Sequence, residues 1–411
     1  MLAMAGGWVG IRWYIGNTLA EFTPAVEDGG MDTARLAVKW APRDPLTHWR
    51  VGDYDEKVFS SDNLNDSVRE YQLAVALSPY DYRYWLELGH AFEAAGDGAS
   101  GEKALRRAVE LAPSYSYPLW VFGNVLVRQG KMDEAFQYLA RAAQADPELQ
   151  PQVFNLAWQT FGGDVDGIAR IACPSPAVRM HFATYLVNIG RGDDAMRIWS
   201  TIDVHDRRSP LSEEFKQVLL NVKVFRLALE VTRDIDHETI DVPAAEQFTN
   251  PGFETDLALS RGKSFNWVIL SGSQVLIGRD TGTAHSGKAS LRLAFTAAKP
   301  LGTINISQII AVEPNTQYRF ECYAKTEGLN SASTPQLVIY SARDNTLIAN
   351  TAGLPTGTSD WENITFDFTT KADSDAIKLG VMRSPCTVGT VCPIFGNVWY
   401  DDFNLQRIGR R

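Results

Sequence analysis

Asp401 and Asp402 stand side by side in the stretch "NVWYDDFNL" (397–405), between Tyr400 and Phe403. Adjacent carboxylates among aromatics are material for an acid/base pair, for a cation site, or for the end of a strand. Strand geometry decides against the first. Neighbouring side chains on a strand point to opposite faces, so the two aspartates cannot grip one substrate together. Val398 and Tyr400 share one face, and Phe403 and Leu405 share a face with them only if an extra residue intervenes. That break in parity predicts a β-bulge at the aspartates.

Little else in the chain has the spacing of chemistry. The run Gly282-Thr-Ala-His-Ser-Gly287-Lys288 nearly spells a phosphate-binding loop, but Ala289 replaces the required hydroxyl and a strand follows instead of a helix. The six histidines (48, 90, 181, 205, 237 and 285) are scattered. His205 and His237 have acidic neighbours, yet no second His or Cys stands at metal spacing. There is no nucleophile elbow and no Cys/His nucleophile constellation. Cys386 and Cys392 bracket "CTVGTVC" and are disulfide candidates in an oxidising compartment, whereas Cys173 and Cys322 read as buried thiols. The expectation is a protein that is not an enzyme and requires no cofactor.

The elements that must position these residues divide into two compositions. Across 411 residues the formal charge is −10, which argues against nucleic acid as a partner. Residues 1–242 hold 24 Lys and Arg against 34 Asp and Glu, while residues 243–411 hold 15 of each. At the start, "LAMAGGWVGIRWYIGNTLA" (2–20) is mostly apolar, carries only Arg12 as a charge, and is about long enough to cross a bilayer. Trp8, Trp13 and Tyr14 suit a membrane interface, and the acidic "EFTPAVEDGGMD" that follows suits the outside. The expectation is a single N-terminal transmembrane helix over 1–24 anchoring an extracytoplasmic protein. The alternative is an amphipathic helix packed on a partner or on the helices that follow, with Arg12 at its polar edge.

A period of 34 residues then appears. "AVALSP", "AVELAP" and "AAQADP" end on Pro79, Pro113 and Pro147, and Gly89/Gly123 and Gly96/Gly130 repeat at the same interval. Trp85, Leu88 and Phe92 mark one face of a first helix, Ala104, Leu105 and Ala108 line a second, and Pro113 stops it. Trp85, Leu88, Gly89, Phe92, Ala108 and Pro113 resemble the tetratricopeptide repeat position for position. Leu119 and Gly101 depart from that pattern. The resemblance implies an α-solenoid of five or six helix pairs over 25–242 that binds protein partners. Arg83, His90, Tyr117, Trp120 and Asn124 are its groove candidates.

From residue 243 short alternating runs replace the helical period, punctuated by Gly, Pro, Asn and Ser turns, and predict a two-sheet β-sandwich over 243–411. In "QYRFECYAK" (317–325) the alternation sets Tyr318, Phe320 and Cys322 on one face and Arg319, Glu321, Tyr323 and Lys325 on the other. The second face either binds glycan or is a solvated strand face. The order "NPGFE" (250–254), "HSGKASLRL", "IAVEPNTQYRFECYAK", Trp361 and "GNVWYDDFNL" resembles jelly-roll carbohydrate-binding modules of the galactose-binding-like type. That resemblance implies glycan binding, with Trp267, Arg319, Tyr323 and Tyr340 as candidates. It also implies a structural calcium ion, with Glu254, Asp401 and Asp402 as candidates: Glu254, one of the aspartates and backbone carbonyls would hold it, and the alternative is a solvated or hydrogen-bonded Asp pair. Together the two resemblances imply a membrane-anchored scaffold with a glycan-binding module, in exopolysaccharide or cell-surface organisation. The alternative is an accessory subunit whose sandwich docks on protein.

Overall fold

The computed structural model describes residues 2–58, 61–235, 241–260, 262–269, 272–298, 301, 304–384, 386 and 392–410. His237 and the interior of the 386–392 loop lie outside them. The chain divides into two compact units, Met1–Phe182 and Ala183–Arg411.

The first unit is helical, with α1 (Leu2–Glu21), α2 (Gly30–Trp40), α3 (Pro45–Val58), α4 (Ser61–Leu77) and α5 (Tyr82–Ala94). It continues through α6 (Gly98–Leu111), α7 (Ser116–Arg128), α8 (Met132–Ala145), α9 (Gln150–Thr160) and α10 (Val165–Ala172), and α11 (Pro176–Asn188) runs across the boundary. Asp81 and Asp97 cap α5 and α6 by accepting from the backbone N–H of Arg83 (3.0 Å) and Ser100 (3.1 Å). The 34-residue period is a packing rule. A Cβ on Gly89 would stand 2.5 Å from Leu105 Cγ, and one on Gly123 would stand 2.7 Å from Leu139. Only glycine lets each pair of helices close.

The transmembrane expectation is overturned. No helix among the described residues is long and apolar enough to cross a membrane. The N-terminal run becomes α1, which packs on the helices after it. A Cβ on Gly16 would stand 2.4 Å from Ala41 Cβ, Arg12 Nη2 donates to the Lys39 carbonyl (2.9 Å), and Asn17 Nδ2 donates to Asp44 (2.9 Å). Ala20 is buried, and its carbonyl accepts from Arg50 Nε at 2.8 Å. Arg12, Gly16 and Asn17 are thus docking features that dilute the apolar run. Trp8, Trp13 and Tyr14 lie exposed.

The second unit opens with α12 (Gly192–Ser200), α13 (Pro210–Asn221) and α14 (Phe225–Ile235). Ten strands follow among the described residues: β1 (Val268–Ile269), β2 (Val275–Asp280), β3 (Ser290–Ala297), β4 (Ile304–Ala311) and β5 (Thr316–Asn330), then β6 (Pro335–Ser341), β7 (Leu347–Asn350), β8 (Gly357–Thr369), β9 (Ala376–Arg383) and β10 (Ile394–Arg410). They form two five-stranded antiparallel sheets, ordered β1-β4-β9-β6-β7 and β2-β3-β10-β5-β8. Leu293, Phe320, Ile339, Leu379 and Tyr400 are among the buried side chains that fill the core between them. Full burial of each such side chain contributes about 1.5–3 kcal/mol. In β5 the even positions from Tyr318 to Ala324 are buried and the odd ones are half-exposed, following the alternation of the sequence.

Candidate functional site

The bulge forms where the parity breaks. Asp402 has φ +52°, and the β10–β5 register shifts between Asp401 and Asn404. The two carboxylates separate and both turn on the loop 285–289. Buried Asp401 accepts through Oδ2 from the backbone N–H of His285 (2.8 Å) and Ser286 (3.3 Å), and through Oδ1 from Asp402 (2.8 Å). Burial raises its carboxyl above the ordinary value, against the pull of those N–H groups. Asp402 meets His285 Nδ1 at 2.6 Å and accepts from Ser286 Oγ at 2.6 Å. From the start of the domain, Glu254 Oε1 accepts from the N–H of Lys288 (2.8 Å) and Ala289 (3.3 Å).

The calcium expectation named these same three carboxylates, and they do meet one loop. However, N–H and O–H donors hold them, and among the described residues no group of three or more His, Cys, Asp or Glu stands so as to hold a metal. The side chains alone do not fit a cation cage. The run that imitates a phosphate loop is the segment that they clamp.

The glycan candidates do not converge. Trp267 is 6% exposed, packed among Phe248, Phe253 and Phe403, with its indole donating to the Asn250 carbonyl (3.3 Å). It has no face to offer a sugar. Tyr323 lies on the outer face of the β10-containing sheet, but His285 stacks on its ring at 3.6 Å, with Trp361 at the imidazole edge. Arg319 spends its guanidinium fork on Asp367 (2.8 and 3.0 Å). Tyr340 alone of these stands on the outer face of the other sheet, half-exposed.

That face has a built shape. One cross-strand row runs Asn350, Val338, Gly380, Ser307 and Val268, over all five strands. A parallel row carries Tyr340, Lys378 and Ile309, and Gln336 faces Met382 on the other side. Gly380 leaves the middle low. A Cβ there would meet only the Ile306 carbonyl (3.5 Å) and Val338 (3.6 Å) among the described residues, so the fold itself would accept alanine. A glycine that packing does not demand, in a central strand, marks a close approach from outside. On β6 Gln336 is buried and its amide is spent within the fold, donating to Ser384 Oγ (2.6 Å) and accepting from Asn350 (2.9 Å). The result is a shallow trough confined to β9 and β4, with Gly380 in its floor and the Tyr340 ring at its edge, whose hydroxyl donates to Met382 Sδ at 3.4 Å, while Val338 and Gln336 on β6 are buried. The alternation in "QLVIYSA" and "AIKLGVM" carried the signal for Gln336, Lys378, Gly380 and Met382, but which face stays open depends on pairing that the sequence does not encode locally.

In the helical unit, Arg83 pairs with its cap residue Asp81 at 2.6 Å, and Trp120 is half-buried in helix packing with Asn124 Nδ2 on its carbonyl (2.8 Å). Burial depresses the His90 imidazole, and the Arg128 charge adds to this. Tyr117 is 58% exposed, near in sequence to Tyr115, whose ring meets Tyr82 at 5.3 Å. Tyr80, Asp81, Tyr82, Arg83 and Tyr115 line one cleft, an aromatic surface of a kind enriched at protein interfaces. The Cys386 and Cys392 sulfurs stand at bonding distance, with Cα atoms 6.0 Å apart.

Comparison with known families matches residues 245–385 to the carbohydrate binding domain and residues 82–115 to the tetratricopeptide repeat. The chain joins a tetratricopeptide solenoid to a carbohydrate-binding-type β-sandwich. Similar solved structures include the crystal structure of MamA, at 17% identity over 42% of this chain and 84% of that one, with a TM-score of 0.28. Another, described as "CBM4 structure and function", is 15% identical over 39% of this chain and all (100%) of its own, with a TM-score of 0.29. A xylan-binding domain of Paenibacillus barcinonensis Xyn10C is 12% identical over 39% of this chain and 93% of its own, with a TM-score of 0.27. Among curated proteins, none matches the chain.

Proposed function

We propose that this chain is a non-enzymatic adaptor, in which the solenoid holds a protein partner and the outer trough of the β9-containing sheet holds a polysaccharide. The Gly380 floor carries the reading, because the fold accepts a methyl group there while a large side chain would fill the trough. A pyranose ring lying over Gly380 meets the half-exposed Tyr340 on one side and Ser307 of the neighbouring strand on the other, an apolar platform beside a hydroxyl partner.

The test is affinity electrophoresis of the full chain in gels containing soluble polysaccharides, comparing wild type with Gly380→Ala and Gly380→Phe. The reading expects Gly380→Ala to bind and Gly380→Phe to fold normally without binding. Equal retardation of wild type and Gly380→Phe would remove the trough from the argument. Failure of every polysaccharide, with a protein co-purifying through the sandwich, would transfer the face to protein docking.

A further inference from the structure

The trough has a charge sign. Among the described outward-facing residues of β4, β6, β7 and β9, Lys378 is the only one with a charged side chain, two residues from Gly380 on the same face and directly opposite Tyr340. It makes no hydrogen bond or ion pair with any described residue. The opposite sheet treats its cations differently: Arg319 pairs with Asp367 at 2.8 Å and Lys325 with Asp360 at 2.8 Å. At the hairpin beyond Tyr340, Asp344 is held by Lys371 at 2.5 Å, and Asp375 before β9 accepts from the Arg226 N–H at 2.9 Å. Neither is paired with Lys378. Lys378 is half-exposed, and no carboxylate among the described residues occupies its ammonium, which leaves the charge available to an anion.

We infer that the trough takes an acidic polysaccharide, a linear chain bearing uronate carboxylates, with Lys378 Nζ donating to one carboxylate while Tyr340 and Ser307 hold the ring. This rests on the trough reading above. The chain's acidity does not oppose it, because residues 243–411 carry equal numbers of acidic and basic side chains and the excess of −10 lies in residues 1–242. The neutral surroundings also mean that the preference comes from one contact and not from a basic field.

Affinity electrophoresis with polygalacturonate and alginate against neutral xylan and mixed-linkage β-glucan, at low and high salt, tests it. Wild type should be retarded by an acidic polymer more than by the neutral ones, with retardation falling as salt rises. Lys378→Gln should weaken the acidic-polymer affinity about five-fold and flatten its salt dependence, leaving any neutral-polymer affinity unchanged. Retardation by neutral polymers that equals or exceeds the acidic ones, with Lys378→Gln indistinguishable from wild type, overturns the uronate assignment and leaves the trough standing. Retardation by none of the polymers overturns both. Thermal melts of each variant report folding independently.

Discussion

The carboxylate of Asp375, in the turn before β9, accepts a hydrogen bond at 2.9 Å from the backbone N–H of Arg226, in the first turn of α14. A residue 149 positions away therefore supplies the cap that helix termini ordinarily draw from their own sequence. The Arg226 guanidinium returns to the sandwich at Glu313 (2.6 Å), so the last helix and the β-domain share an end. Asp375→Ala should cost about 1 kcal/mol in urea unfolding of the second unit. Burial raises the Asp375 carboxyl, so Asp375→Asn, which keeps an acceptor and removes the buried charge, should cost far less. Equal losses for both variants would mean that the cap contributes nothing.

Glu87 on α5 makes the helical unit sensitive to pH. Burial, then the charges of Glu56 and Asp53, push its carboxyl up to about 7. A carboxyl raised on folding contributes stability that is full below its unfolded value and lost as pH climbs through the folded one. Denaturation midpoints should therefore fall between about pH 5 and 8, and Glu87→Gln should stabilise at pH 8 while matching wild type near pH 4. Identical midpoints for the two at pH 8 would refute the assignment.

The clamp on residues 285–289 is complete in hydrogen bonds, so EDTA should leave the sandwich's melting temperature unchanged. Asp401→Ala, which frees two loop N–H groups from a buried acceptor, should destabilise by about 1–3 kcal/mol. A melting temperature lowered by EDTA and restored by calcium would mean that backbone carbonyls complete a cage around these carboxylates.

Tyr323 and Tyr340 should separate stability from binding. Tyr323→Ala removes the ring on which His285 stacks and should lower the melting temperature with polysaccharide binding intact. Tyr340→Ala should weaken binding about five- to ten-fold with the melting temperature nearly unchanged. The reverse pattern would move the site to the other sheet.

The docking of α1 is checked by Gly16→Val, whose side chain cannot stand against Ala41. Weaker protection of α1 amides in hydrogen exchange is the expected result.

Local rules were legible wherever a residue's role depends on close sequence neighbours. The 34-residue period, the alternation of β5 and the bulge at Asp401–Asp402 all follow from spacing within one or two elements. Roles set by distant partners were not legible. Trp267 reads as a platform until Phe248, Phe253 and Phe403 close on it, and Tyr323 does so until a loop from another hairpin places His285 over its ring. The run 2–20 reads as a bilayer span until Ala37 and Ala41 explain Gly16. Gly380 failed in the opposite direction: a lone glycine in "AIKLGVM" carries no sign of whether it spares a clash or leaves a space.

The strand order has a consequence for synthesis. β10 emerges last of the sandwich strands, yet it lies in the middle of its sheet, hydrogen-bonded to β3 on one side and β5 on the other. Until it arrives, a nascent sandwich displays two raw strand edges and a loop without its aspartate clamps, which invites pairing with another chain. The domain is thus committed to folding after its last strand has left the ribosome. Its yield in a cell should depend on chaperone supply more than its equilibrium stability suggests.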